Sequence, residues 1–351
     1  MTESLKDQIY KYFFLKEANA DIYFTENIYV PTGARGVFGG QVISQALAAA
    51  TLTVNTRYSS LHSYFVLNGT KGEPIYYHVE RIRDGKSFCT RNVLAKQKGN
   101  IIFSLSCSFK VFEPNSPEHQ FKIPQVESPE FSLSKFTNSN SSTFVGGYKK
   151  LKYLSSEKVG RLSMDIYQSI SKNEHTRASL DLLDTNTIAE RKKSGTGFGD
   201  HEVVIPYNVW WFKLSENLEN LHPQIHACLL AYISDHRMLT TTNLPHFYGK
   251  NYGKNKILMG ASLDHAIWFH APFRVDSWLL YELESPRRVD SRGLVFGKVF
   301  DKSGVLVASV AQEGLQRSVP VNPSSETIPS EKLFFKTTPP QNSYENIPSK
   351  L

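Results

Sequence analysis

The sequence feature that most constrains the fold of this 351-residue chain is an internal repeat. Three segments of the first half correspond to three segments of the second half, in the same order and at a nearly constant offset of about two hundred residues. The pairs are 60–65 with 262–269, 76–80 with 280–284, and 96–102 with 300–306. Any single match could arise by chance, whereas the shared order could hardly do so. The repeat therefore predicts two halves with the same fold.

Within residues 14–113, the apolar pattern predicts one helix followed by several strands. The helix is expected at 39–50, where two glycines precede apolar residues at helical spacing. The strands are expected at 60–66, 75–82, 87–97 and 100–112. The pairs Asn68-Gly69, Asp84-Gly85 and Lys98-Gly99 are typical of hairpin turns. The prediction for this half is a helix followed by an antiparallel meander.

Residues 200–318 repeat this order. A strand is expected at 202–212 and a helix at 223–239, before strands at 261–269, 278–284, 293–300 and 305–315. The proline-rich and polar stretch between the halves indicates a connector, with short helices expected at 164–172 and 178–183. The predicted organisation is an α+β protein with an N-terminal domain at 1–113, a connector at 114–199, a C-terminal domain at 200–318 and a flexible tail at 319–351.

Composition and charge exclude several classes of protein. The net charge of +7 and pI of about 9.1 suit an anionic small molecule or serve only solubility. Because Lys and Arg form no dense stripe, nucleic acid is not expected as a partner. No apolar run approaches the length of about eighteen residues that a membrane span requires. The three cysteines are scattered, which argues against a disulfide framework and favours a reducing compartment.

Motifs for several other chemistries are missing from the sequence. It contains no Gly-x-Ser-x-Gly nucleophile elbow, and no His-Glu-x-x-His or paired Cys-x-x-Cys motif. The glycine-rich segment 195–199 lacks the spacing of a dinucleotide-binding loop. We therefore expect no metal and no cofactor.

The chain ends in Ser349-Lys350-Leu351, the tripeptide that a soluble receptor reads as an address for peroxisomal import. Such a signal needs a free carboxylate on an accessible tail. The residues from 337 onward carry prolines and polar side chains without an apolar period, as such a tail requires. The tripeptide predicts a location in the peroxisomal matrix and the import receptor as a partner.

Five segments resemble the type II acyl-CoA thioesterase family, and they occur in that family's order. They are 36–41 (GVFGGQ), 62–65 (HSYF), 83–88 (RDGKSF), 262–270 (SLDHAIWFH) and 307–314 (VASVAQEG). The resemblance implies a double hotdog, in which each of two domains wraps an antiparallel sheet around a central helix. It also implies hydrolysis of acyl-CoA thioesters to free fatty acid and coenzyme A.

The resemblance further implies a catalytic set at Asp235, Ser262 and Gln312. Thioester hydrolysis needs a positioned water, an acceptor for its proton and donors for the developing oxyanion. Asp235 is expected to be the general base, while Ser262 and Gln312 align the water without a covalent intermediate. In the first half, Cys107 aligns near the position that Gln312 has in the second half, so the first half lacks the reactive set. We therefore expect one active centre for each pair of hotdogs.

Substrate contacts are expected from Gly39 and Gly40, whose backbone N–H groups at the helix start would polarise the thioester carbonyl. His62, Arg83 and Lys86 are further candidates for contact with the acyl-CoA.

A structural role is expected for Asp264 and His265. Adjacent strand residues point to opposite faces of a sheet, so these two cannot readily act together.

Two alternatives stay open at this stage. An enoyl-CoA hydratase on the same fold would need an Asp and a His that converge on one substrate carbon. A non-catalytic acyl-CoA-binding protein would have no need of the three polar residues.

The two halves are expected to form an internal pseudo-dimer, and such double hotdogs to assemble further into homo-oligomers.

Overall fold

The computed structural model describes residues 5–31, 33–55, 57–124, 126, 129, 205–247 and 255–320, together with four short strands between 144 and 167. The helix expected at 178–183 and the C-terminal tripeptide lie outside these residues.

The first half contains two helices and six strands among the described residues. They are α1 (Leu5–Phe13), β1 (Lys16–Asn19), β2 (Ile22–Thr25), α2 (Gly39–Thr51), β3 (Arg57–Phe65), β4 (Ile75–Asp84), β5 (Phe88–Gln97) and β6 (Asn100–Lys110). The antiparallel strands lie in the order β1-β2-β4-β5-β6-β3. The helix expected at 39–50 and the four strands that follow it are thereby confirmed.

The turns of this half differ in kind. Lys98 and Gly99, between β5 and β6, both have positive φ (52° and 79°), as a tight two-residue hairpin turn requires. Asp84-Gly85 also joins neighbouring strands, β4 and β5. The hairpin expected at Asn68-Gly69 is wrong. It lies between β3 and β4, which are separated in the sheet because β3 pairs with β6 instead.

The remaining elements belong to the connector and the second half. They are β7 (Phe144–Val145), β8 (Tyr148–Lys149), β9 (Leu154–Val159), β10 (Leu162–Tyr167), β11 (Tyr207–Leu214), α3 (Pro223–Ser234), α4 (Met238–Phe247), β12 (Asn255–Ser262), β13 (Asp264–Phe269), β14 (Leu279–Val289), β15 (Arg292–Asp301) and β16 (Leu306–Pro320). Five of these strands continue the sheet in the order β13-β16-β15-β14-β11, followed by β10 and β9, while β12 pairs with β16.

One helix prediction in this region is confirmed except at its end, and another is wrong. The helix expected at 223–239 ends at Ser234, because Asp235 caps it and Arg237 adopts a positive φ of 65° before α4 begins. The first residues of the helix expected at 164–172 form β10 instead, since strands β9 and β11 supply hydrogen-bonding partners on both sides.

The two halves join through the antiparallel pair β3 and β13. Ser63 lies opposite His265, so residues on either side of this pair are related as if by a two-fold axis. The pairing merges both halves into one 14-stranded sheet among the described residues. The repeated order of helix and sheet strands is the expected double hotdog. No described helix has the length and apolar character needed to cross a membrane.

Helices α2 and α3 pack closely and antiparallel on the inner side of the sheet. The Ser44 hydroxyl donates a hydrogen bond to the carbonyl oxygen of Cys228 (2.7 Å). Near the start of α2, a Cβ added to Gly40 would lie 2.3 Å from the carbonyl oxygen of Tyr232. A residue without a side chain is therefore required at this contact.

Replacing Gly40 with alanine should separate the two helices. Because the added methyl would meet a backbone oxygen, we expect Gly40→Ala to lower the free energy of unfolding by about 1–3 kcal/mol. Gly260→Ala is the matched control, since a Cβ there would have nothing within 4 Å. Chemical denaturation of both variants measures the difference, and equal stabilities would contradict the proposed close contact.

Candidate active site

Three separate elements bring Asp235, Ser262 and Gln312 together. Asp235 is the C-terminal capping residue of α3, Ser262 ends β12, and Gln312 lies within β16. Asp235 and Ser262 are half-buried, whereas Gln312 is fully buried beneath them. The structure thus gathers into one cluster three residues that are far apart in the sequence.

Hydrogen bonds connect the three side chains in a triangle. The Gln312 amide nitrogen donates to Asp235 Oδ1 (2.9 Å) and to Ser262 Oγ (2.7 Å). The Ser262 hydroxyl in turn donates to Asp235 Oδ1 (3.3 Å). An ionised carboxylate only accepts hydrogen bonds, so this arrangement presents an oriented acceptor between two polar groups.

The N-terminus of α2 completes the surroundings of Asp235. The Gly40 backbone N–H donates to Asp235 Oδ2 (3.0 Å). A Cβ on Gly39 would lie 2.9 Å from the same oxygen, so the helix end can approach the carboxylate only because glycine stands there. Both glycines expected at the site therefore border it. In this structure the Gly40 N–H binds the carboxylate of Asp235.

Beneath the triangle lies a second layer of buried polar side chains. His265 Nδ1 is 2.7 Å from Gln312 Oε1, and His265 Nε2 is 2.9 Å from the Ser234 hydroxyl. Because the Gln312 nitrogen faces the carboxylate, its oxygen must accept from His265 Nδ1–H. Burial lowers the pKa of His265, although the negative charge of Asp235 acts in the opposite direction. The neutral ring therefore carries its proton on Nδ1 and accepts the single Ser234 hydroxyl proton at Nε2, so this proton is not donated to the Ala231 carbonyl oxygen, 3.0 Å from the hydroxyl.

Sequence reasoning assigned His265 only a structural role and did not identify Ser234. Asp264, the neighbour of His265, lies on the opposite face of the sheet, as expected. Its Oδ1 accepts from the Glu313 backbone N–H (2.8 Å), and burial raises its pKa. Alternation along β13 indicated that these residues would diverge, but only the three-dimensional packing shows which of them faces Gln312.

The first half lacks a counterpart of the triangle. Leu52 caps α2 where Asp235 caps α3. In the first half, Leu105 lies opposite Ser63 in the sheet. In the second half, Gln312 lies beside His265 in the same way, so Leu105 corresponds to Gln312. Cys107 lies two residues farther along β6. The duplicated fold therefore builds this polar cluster only once within the described residues.

Three expected substrate contacts lie elsewhere. His62 is exposed on the face opposite Ser63, with its ring edge against Trp268. Arg83 and Lys86 are exposed near the turn between β4 and β5.

That turn lies near the C-terminal end of α2. Buried Arg91 donates hydrogen bonds to the Arg83 carbonyl oxygen and to Thr53, just beyond that end of the helix. A 13-residue helix is about 20 Å long, so the turn and the triangle lie near opposite ends of α2.

No group of three or more His, Cys, Asp and Glu side chains among the described residues is arranged to hold a metal ion.

Comparison with known proteins places the chain among thioesterases. Residues 28–110 match the model of the acyl-CoA thioesterase N-terminal domain, and residues 183–315 match the acyl-CoA thioesterase model. Acyl-coenzyme A thioesterase 8 of Mus musculus is 35% identical over 87% of this chain and 88% of its own length.

Two further proteins extend the comparison. Peroxisomal acyl-coenzyme A thioester hydrolase 1 of Saccharomyces cerevisiae is 29% identical over 81% of this chain and 86% of its own length. The crystal structure of acyl-CoA thioesterase II TesB2 from Mycobacterium marinum has a TM-score of 0.62 and 30% identity, covering 88% of this chain and 97% of that one.

His265 should be neutral and protonated on Nδ1 at neutral pH, which nitrogen-15 NMR of its ring can determine. Because burial lowers its pKa in the folded state, the unfolded state binds the proton more tightly. The contribution of His265 to stability is therefore present above the ordinary pKa of 6.5 and decreases as the pH falls below it. A ring protonated on Nε2 at neutral pH would contradict the assigned hydrogen bonds.

Proposed function

This chain belongs to the acyl-CoA thioesterase family, and we propose that Asp235, Ser262 and Gln312 are its catalytic residues. The observation that carries the proposal is the triangle that these side chains form at the N-terminus of α2. A carboxylate flanked by a hydroxyl and an amide suits the activation of a water molecule.

In the proposed reaction, a water molecule binds at the exposed side of the triangle. Asp235 accepts one of its protons while the water oxygen attacks the thioester carbonyl carbon. The resulting tetrahedral oxyanion collapses, the carbon–sulfur bond breaks, and the proton passes from Asp235 to the departing coenzyme A thiolate. The products are free fatty acid and coenzyme A, and Asp235 is again ionised.

Ser262 contacts the water at the exposed side, and buried Gln312, which donates to both Asp235 and Ser262, keeps these two groups aligned with it. The proposed reaction therefore forms no bond between acyl group and protein. The oxyanion would lie near the N-terminus of α2, where the helix dipole is positive. For the Gly40 N–H to contribute, it must exchange its partner Asp235 for the developing oxyanion. Protonation of Asp235 during the attack weakens that bond and favours such an exchange.

The geometry supports hydrolysis over hydration. A hydratase would need an Asp and a His that converge on one substrate carbon. His265 is fully buried and contacts Gln312, while Asp264 lies on the other face of the sheet.

Asp235→Asn removes the proposed proton acceptor while keeping the size of the side chain. We expect kcat for acyl-CoA hydrolysis to fall by about 100- to 10,000-fold, the usual contribution of a general base. Asp264→Asn is the matched control and should retain activity. Release of the coenzyme A thiol, followed with a colorimetric reagent and several acyl chain lengths, measures both. Full turnover by Asp235→Asn would assign the base to another residue.

We also propose that the enzyme acts in the peroxisomal matrix. Two observations support this location: the C-terminal Ser349-Lys350-Leu351, and the similarity to a yeast thioester hydrolase whose name describes it as peroxisomal. The import receptor would then be a partner of this chain.

Location can be tested with a fluorescent protein fused to the N-terminus, expressed in cells with labelled peroxisomes. We expect the fusion to enter peroxisomes, and a version that lacks Leu351 to stay in the cytosol because the receptor reads the complete tripeptide. Cytosolic fluorescence from the intact chain would contradict the proposed location.

A further inference from the structure

We propose that His265 is a positioning residue of this reaction, which holds the amide of Gln312 in its productive orientation. This role rests on the proposed function of Asp235, Ser262 and Gln312 as catalytic residues.

The amide of Gln312 has two orientations of similar shape but different chemistry. In the observed one, its nitrogen donates to both Asp235 and Ser262. A rotation of 180° would exchange the nitrogen for the oxygen, and the amide would lose both donors to the triangle. Catalysis therefore depends on the partner of the Gln312 amide oxygen, which lies behind Gln312, as well as on the partners of its nitrogen in the triangle, which lie in front of it.

Asp235 can fix this orientation only while it is ionised. As a carboxylate it accepts hydrogen bonds and thus selects the amide nitrogen. After it has taken the proton from water, it can itself donate, and a rotated amide would offer it an oxygen. The restraint from the front of Gln312 is therefore weakest at the stage when the tetrahedral intermediate must be held.

His265 provides a restraint from behind that does not change during the reaction. Its Nδ1–H donates to Gln312 Oε1 at 2.7 Å, and a rotated amide would direct an N–H group at this N–H group. Gln312 separates the imidazole from Asp235, and an amide does not readily pass a proton on. His265 therefore acts by orientation and has no part as a base.

Hydrogen bonds from two elements hold His265, and a third element holds its partner Ser234. From α3, the Ser234 hydroxyl donates to Nε2 (2.9 Å). From β14, the Tyr281 hydroxyl donates to the Ser234 carbonyl oxygen (3.0 Å). From β3, the Ser63 hydroxyl donates to the carbonyl oxygen of His265 (2.8 Å). The imidazole is fully buried, so its position is fixed before substrate binds.

The direct test compares two substitutions of His265. His265→Leu removes the donor to Gln312 at similar size, and we expect kcat to fall by about 100-fold with little change in KM, as for a displaced catalytic group. His265→Asn places an amide N–H near the position of Nδ1 and should recover a large part of the lost activity. A structural role alone would not predict this recovery.

A double-mutant cycle with Gln312→Ala distinguishes the positioning role of His265 from the catalytic role of Gln312. If His265 acts through Gln312, His265→Leu should cause no further loss in the Gln312→Ala background. An additive loss would overturn the proposal, as would His265→Leu with unchanged kcat. Full activity of Gln312→Ala alone would instead overturn the catalytic assignment, and with it this inference.

Ser234→Ala keeps the proposal testable if His265→Leu does not fold. It removes the hydroxyl that orients the imidazole, and Ser63→Ala is its matched control, because Ser63 is also buried but touches only the backbone of His265. We expect kcat to fall more in Ser234→Ala than in Ser63→Ala. Equal values of kcat would overturn the proposal.

Discussion

The proposed active site depends on the close antiparallel contact between α2 and α3. A carboxylate at the C-terminus of α3 meets the negative end of that helix dipole, which is an unfavourable position for Asp235. The N-terminus of α2 offsets this effect, since it brings a positive dipole end and the Gly40 N–H to the same carboxylate. The glycines of α2 are thus required twice, for the packing of the helices and for the electrostatics of Asp235.

The contact also explains how a duplicated fold can contain a single polar centre. The opposite end of the helix pair lacks a carboxylate at the corresponding position. There, Leu52 caps α2, and the N–H of Gln224, the second residue of α3 as Gly40 is of α2, donates to the His222 side chain. Both halves keep the strand pairing and the core that the fold needs. Among the described residues, the end with Asp235 and the two glycines carries the donors and acceptors that the proposed hydrolytic reaction uses.

The internal repeat predicted two halves with the same fold, and apolar periodicity predicted most strands because it depends on local burial. The sequence pattern did not indicate that α3 ends at Ser234. The residue with positive φ just beyond the helix is Arg237, whereas a glycine there would have marked the helix end. The sequence pattern also could not identify the second layer of the site. A buried histidine in an alternating strand has no distinctive spacing, and its contact with Gln312 arises only from strand pairing and helix packing.

In the proposed reaction, water held by Asp235 attacks the thioester itself. A single turnover in water enriched in oxygen-18, with mass analysis of both fatty acid and quenched protein, tests this step. We expect one labelled oxygen in the first fatty acid released and no acyl adduct on the protein. An unlabelled first product would make Asp235 the nucleophile, and an acyl adduct at Ser262 would make the hydroxyl the nucleophile. Either result would rule out the attack by water.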